Sequence, residues 1–128
     1  MALKIEEHMN RRVLTAAPTD TLEHAAQAMI DRKVGSAVVV RDKVHIGIVT
    51  ERDVLRAVAR GTVPWSTKIE DVMTADPVCA TLDLDVASAT RLMLDGGFRH
   101  LPVEADGKLV GIVSLRDLLI LLQADAEE

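Results

Sequence analysis

The chain has 128 residues, a net charge of −5, 48% hydrophobic and 27% charged residues, a profile that excludes a disordered or membrane-embedded chain and suits one ordinary globular domain. The acid excess disfavours broad nucleic-acid binding, which needs clustered Lys and Arg against phosphate, and one Trp, one Phe and no Tyr leave no aromatic platform for stacking bases. A single cysteine, Cys79, excludes an internal disulfide and a cysteine-built metal site.

In chain order, the opening MALKIEEHMNRR lacks the basic head and apolar core of a secretory signal. No later run approaches the roughly 20 apolar residues of a membrane-spanning helix, so a cytosolic protein with no membrane partner is expected. After a short strand, TLEHAAQAMIDRK places Leu22, Ala25, Ala26, Met29 and Ile30 on one helical face. SAVVV and VHIGIV read as strands joined by the turn RDK, and a second helix begins at Thr50. GTVPWST is broken by Gly61 and Pro64 and reads as a linker, with Trp65 expected to anchor the flanking halves. The order then recurs: a helix in DVASATRLMLDGG on Val86, Ala89, Leu92 and Met93, ended by Gly96 and Gly97; strands in HLPVE and LVGIV around the turn ADGK; a last helix from Ser114. In that helix Leu115, Leu118, Leu119 and Leu122 are expected to face the core. Ile120 and Leu121 would join Val54 and Val58 in an exposed apolar patch, which implies self-association. Cys79, beside Val78 in an expected buried strand, reads as an inert thiol.

A shift of 64 residues overlays the chain on itself without a gap. Lys4, Ile5, Glu6 and Met9 meet Lys68, Ile69, Glu70 and Met73; Ala25 and Met29 meet Ala89 and Met93; Gly47, Ile48 and Val49 meet Gly111, Ile112 and Val113; Arg52, Asp53 and Leu55 meet Arg116, Asp117 and Leu119. The chain is a tandem duplication, with repeat 1 over residues 1–61, a linker over 62–67 and repeat 2 over 68–128. A half of about 60 residues buries too little surface alone, so the halves are expected to share one core about a pseudo-twofold axis.

GIVTERD (47–53) and GIVSLRD (111–117) carry the chemistry of the repeat. One reading is a helix cap: Thr50 accepts an N–H of the first turn and Asp53 returns a bond to the Thr50 N–H. The other is a ligand site. A helix N-terminus and a cap hydroxyl suit a phosphate, and Gly47 permits close backbone approach. Asp53 would repel that phosphate, so it must face a neutral donor. A ribose diol, with two O–H groups for two carboxylate oxygens, fits. Together these point to a nucleoside phosphate.

Gly-aliphatic-aliphatic-Thr/Ser-x-x-Asp in each repeat, with IEEHM and IEDVM opening them, TLEHAAQAM in the first helix and RHLPV before the last strand pair, resembles the CBS domain, and two in tandem resemble a Bateman module. The resemblance implies a mixed α and β chain (α/β, or α+β) of β-α-β-β-α repeats with two symmetry-related clefts. It implies an adenosine-containing ligand: AMP, ADP or ATP, with S-adenosylmethionine or NAD-type molecules as further candidates, and no required cofactor. Thr50 and Asp53 would hold phosphate and ribose in one cleft, with Ala16, Ala17, Ser36 and Ala37 near its base slot and Arg99 and His100 reaching its phosphate. Ser114 and Asp117 would serve the other, weaker cleft, with Ala80, Thr81 and Leu101. The implied role is a stand-alone regulatory sensor of energy or metabolite level, acting as a homodimer on a regulated protein. The alternative is a structural interaction module with unoccupied clefts. Arg52 and Arg116 read as solvated, and His8, His24 and His45 show no metal-site spacing. No Ser-His-Asp, Cys-His or paired-acid pattern suggests an enzyme.

Overall fold

A computed structural model describes residues 3–126 and runs through one order of elements twice. The first pass is β1 (Thr15–Ala16), α1 (Leu22–Arg32), β2 (Ser36–Arg41), β3 (Val44–Thr50) and α2 (Glu51–Ala59). A short strand, β4 (Thr74–Ala75), precedes the second pass: β5 (Ala80–Thr81), α3 (Val86–Gly96), β6 (His100–Ala105), β7 (Lys108–Ser114) and α4 (Leu115–Ala126). This is the expected β-α-β-β-α repeat in a mixed α+β chain. None of the described helices is long and apolar enough to cross a membrane.

The compact units are offset from the repeats. The first unit is Val13–Pro77, and the second joins the chain up to Arg12 to the chain from Val78 onward. In the first unit β1 runs parallel to β2, and β2-β3-β4 continue antiparallel, with Ile48 opposite Thr74. In the second, β5 is parallel to β6 and β6 antiparallel to β7, and Asn10 bridges Ile112. The bridge Asn10–Ile112 is the pair Thr74–Ile48 with its members displaced by 64 residues in opposite senses. Each repeat's opening segment therefore completes the unit built mainly from the other repeat.

This exchange explains the motif glycines. A Cβ on Gly47 would strike the Met73 thioether and come 3.0 Å from the Thr74 carbonyl oxygen; on Gly111 it would sit 2.5 Å from Met9 Sδ and 3.2 Å from the Asn10 oxygen. The close approach expected of Gly47 is made by the protein's own exchanged segment.

Local chemistry fixes the rest. The hairpins turn through Asp42 and Lys43 (φ 51° and 67°) and Asp106 and Gly107 (φ 53° and 76°), the double left-handed geometry of a tight two-residue turn. The Thr21 hydroxyl accepts from His24 N–H at 3.1 Å, and the linker carbonyls of Thr67 and Pro64 accept from Leu22 and Glu23 N–H at 2.8 and 3.0 Å. These bonds satisfy donors that a helix start leaves open. The linker's role in the first unit is thus main-chain capping. Trp65 is 68% exposed, so the expected anchoring by its ring is not seen.

Each unit has its own buried cluster. In the first, Leu22, Ala25 and Met29 of α1 pack with Ala37, Val39, Val49, Ala57 and Ile69. In the second, Ile5 and Met9 pack with Ala80, Val86, Ala89, Met93, Leu101, Val103, Val113 and Leu118. Ile30, expected inward, is 72% exposed, and Leu92 is also on the surface. In α4 the inward face is Leu115, Leu118, Leu121 and Leu122, and Leu119 points out with Ile120. Val54 packs on the first cluster, so the exposed apolar residues of α2 are Leu55 and Val58.

Candidate functional site

In the first unit β3 passes into α2 without a loop, and the cap residues lie at the junction. Strand pairing sets Ser36 opposite Thr50, and the Glu51 N–H donates to the Gly35 carbonyl at 2.9 Å. The Asp53 N–H donates to Thr50 Oγ1 at 3.3 Å, while Asp53 Oδ2 accepts the Thr50 N–H at 2.9 Å and the Thr50 hydroxyl at 3.1 Å. This is a complete capping box. The Arg56 guanidinium, one turn on, reaches Asp53 Oδ1 at 3.3 Å; the two side chains are 49% and 13% exposed. Arg56 has a signal in the sequence: an arginine three residues after the acid, replaced by isoleucine in the second copy.

The second unit repeats the frame with a looser acid. His100 pairs with Ser114, the Leu115 N–H donates to the Arg99 carbonyl at 2.8 Å, and the Asp117 N–H donates to Ser114 Oγ at 3.2 Å. Asp117 is exposed, and Ile120 stands where the first repeat has Arg56. Both junctions thus place a hydroxyl, a carboxylate and a helix N-terminus together, the set that suits a ribose phosphate.

The remaining site candidates divide by side-chain direction. Ala37, Ala80 and Leu101 belong to the buried clusters, so what they can offer a ligand is main chain. Ser36 alternates with Ala37 along β2 and is buried at the Thr50 end. Ala16 pairs with Val39, three residues further along β2, or about 10 Å at strand rise. The Ala17 N–H is taken by Asp20 Oδ2 at 2.9 Å. Thr81 donates its hydroxyl to Asp83 Oδ1 at 2.6 Å, which holds that exposed carboxyl below its ordinary range, aided by the Asp83 backbone N–H. Arg99 is exposed and His100 half-buried; Arg52 and Arg116 are exposed.

Cys79 is half-buried directly before β5 rather than within a strand. Burial, and then the charge of Glu104, push its thiol up to about 11. At pH 8 only about one thiol in a thousand would be thiolate, the nucleophilic form. Ellman's reagent at pH 8 is expected to react hundreds of times more slowly with the folded protein than with free cysteine, and promptly once urea is added. Fast labelling of the folded chain would refute the assignment.

The CBS domain family model matches residues 5–60 and again 69–124. An uncharacterized protein of Methanopyrus kandleri is 38% identical over 121 residues, covering 92% of this chain and 62% of that protein, so the chain spans less than two thirds of that relative. Among solved structures, a CBS-domain containing protein from Agrobacterium tumefaciens aligns with a TM-score of 0.83 at 34% identity, covering 88% of this chain and 90% of the other. A CBS domain protein from Pyrobaculum aerophilum, complexed with AMP, aligns with a TM-score of 0.85 at 28% identity, covering 97% of this chain and 99% of the other.

Proposed function

The chain belongs to the CBS domain family as a tandem pair, and on that premise we propose that it binds an adenosine-containing nucleotide of the AMP, ADP or ATP class and signals its level to a partner without turning it over. The observation that carries this is the twofold occurrence of a hydroxyl and a carboxylate at a strand-to-helix junction, Thr50 with Asp53 and Ser114 with Asp117. The AMP held by the Pyrobaculum aerophilum protein supports the ligand class. Ribose hydroxyls go to the carboxylate and phosphate to the helix start. Signalling is a population shift: the ligand favours whichever arrangement of the chain it binds more tightly.

Thermal shift against AMP, ADP, ATP, S-adenosylmethionine and NAD tests the reading. At about 100 times its dissociation constant a ligand adds roughly 2.7 kcal/mol, which raises the melting temperature by something of order 10 °C for a chain this size. Each compound should be recovered unchanged. A second reading has its own support, since Thr50 and Asp53 already satisfy each other as a cap. On that reading the protein is a structural interaction module, and no nucleotide moves the melting temperature.

Self-association is part of the proposal. Ile30, Leu55 and Val58 on α1 and α2, and Leu94, Leu119 and Ile120 on α3 and α4, leave apolar surface exposed on each helix pair. Such surface in a protein of this size marks an interface, and a second copy covers it most simply. Light scattering at tens of micromolar is expected to give twice the chain mass, and Leu119→Glu to lower it. A monomer at that concentration rules this part out.

A further inference from the structure

Both oxygens of the Asp53 carboxylate are engaged by the protein itself. Oδ2 takes the N–H and hydroxyl of Thr50 at 2.9 and 3.1 Å, and Oδ1 takes the Arg56 guanidinium at 3.3 Å. The Oδ2 bonds are made by the cap residue, whose backbone is fixed by β3 and the first turn of α2. The Oδ1 bond differs in kind. It is a long i,i+3 contact from a side chain 49% exposed to solvent, the sort of surface pair that contributes little and exchanges easily with a competitor. A ribose diol directs two O–H donors at one carboxylate and therefore needs Oδ1 as well. In the second repeat the position equivalent to Arg56 is Ile120, which has no donor.

We propose that Arg56 is a competitor for the ligand carried within the chain: it holds Asp53 Oδ1, and a ribose diol enters by displacing it. Arg56 is then a residue that sets the affinity of one half-site and not the other. The inference rests on the reading of Asp53 as the diol acceptor. It makes the Asp53 half-site weaker toward an uncharged nucleoside than its acid alone would be. It also ties that affinity to ionic strength, because salt weakens the pair that the ligand must break.

Adenosine is the suitable probe: it carries the diol and no charge of its own. Asp117→Asn removes the second repeat's carboxylate, and Arg56→Ile in that background gives the first repeat the residue of the second. Calorimetric titration with adenosine should show binding about two- to fivefold tighter for Arg56→Ile, the span expected for loss of a partly exposed ion pair. Rising salt should tighten binding to the chain that retains Arg56 and leave the Arg56→Ile chain unchanged. Arg56→Met, which keeps most of the side chain's length and loses both the charge and the donors, should match Arg56→Ile. Equal or weaker adenosine binding in both variants overturns the inference, while AMP binding by the Asp117→Asn chain leaves the nucleotide reading standing. If that chain binds neither adenosine nor AMP, the reading of Asp53 fails and the competitor role fails with it.

Discussion

Ile5→Ala is expected to cost about 2–5 kcal/mol, and to take it from residues 78–126, far from it in sequence, while the adjacent unit from Val13 to Pro77 keeps its protection. The Ile5 side chain is fully buried in the cluster of Val86, Met93, Leu101 and Leu118. Its backbone is tied to the same unit: the Ile5 N–H donates to the Leu84 carbonyl at 3.0 Å and the Val86 N–H to the Leu3 carbonyl at 2.7 Å. Two more bonds join Asn10 and Ile112, at 2.9 and 3.0 Å. Truncation leaves a cavity that neighbours held on both sides by main-chain bonds fill only in part. Ile69, the equivalent residue, is likewise fully buried, but among Leu22, Met29 and Val49. Ile69→Ala should therefore loosen the first unit. Amide hydrogen exchange resolved by peptide separates the two: α3, β6 and β7 should exchange faster in Ile5→Ala, and α1, β2 and β3 in Ile69→Ala. The opposite assignment would falsify the exchanged arrangement of the opening segments.

That arrangement shows where the sequence runs out as a guide. A repeat states which residues are equivalent. It does not state which half an opening segment folds with, because Ile5 and Ile69 would be buried equally well by either. The elements themselves were legible: both helices and the strand pair of each repeat stand where the apolar spacing and the cap residues put them. Faces were less secure where apolar residues crowd. LLILL in α4 is apolar on every side, and the structure turns Leu121 inward and Leu119 outward. Ile30 extends the apolar face of α1 by one residue, and that last step reaches the surface. The hydroxyl-acid pairs were readable because one chemistry, capping, requires the same spacing that a ligand would use. Ala37 and Leu101 had a signal in the sequence as well: residues two apart in a strand share a face, which groups Ala37 with Val39 and Leu101 with Val103 in the cores. Arg56 was missed because a solvated arginine is the ordinary expectation on a helix, and only distance shows that it meets Asp53.

Asp53 has two duties, and two substitutions separate them. Asp53→Ala removes the acceptor for the Thr50 N–H and hydroxyl together with the proposed acceptor for ribose. It should cost about 0.5–2 kcal/mol of stability, the range for losing a helix cap. Asp53→Asn keeps a carbonyl oxygen that can take the Thr50 N–H, so most of the cap survives. It gives up the charge and one acceptor, and a charge-assisted bond of this kind is worth roughly 1.5–3 kcal/mol. Binding of AMP at that half-site should therefore weaken about 10- to 150-fold, with a melting temperature close to that of the parent chain. Asp117→Asn should leave the Asp53 half-site untouched, since the hydrogen bonds of the Asp53 carboxylate go to Thr50 and Arg56. A pure capping role gives another pattern: Asp53→Ala lowers the melting temperature, Asp53→Asn does little, and no calorimetric heat of AMP binding is lost because none is present. The decisive comparison is Asp53→Asn against the parent, by calorimetry and melting temperature together. A stable Asn variant that has lost AMP affinity assigns the carboxylate to the ligand, and a stable variant with parental affinity returns it to the helix.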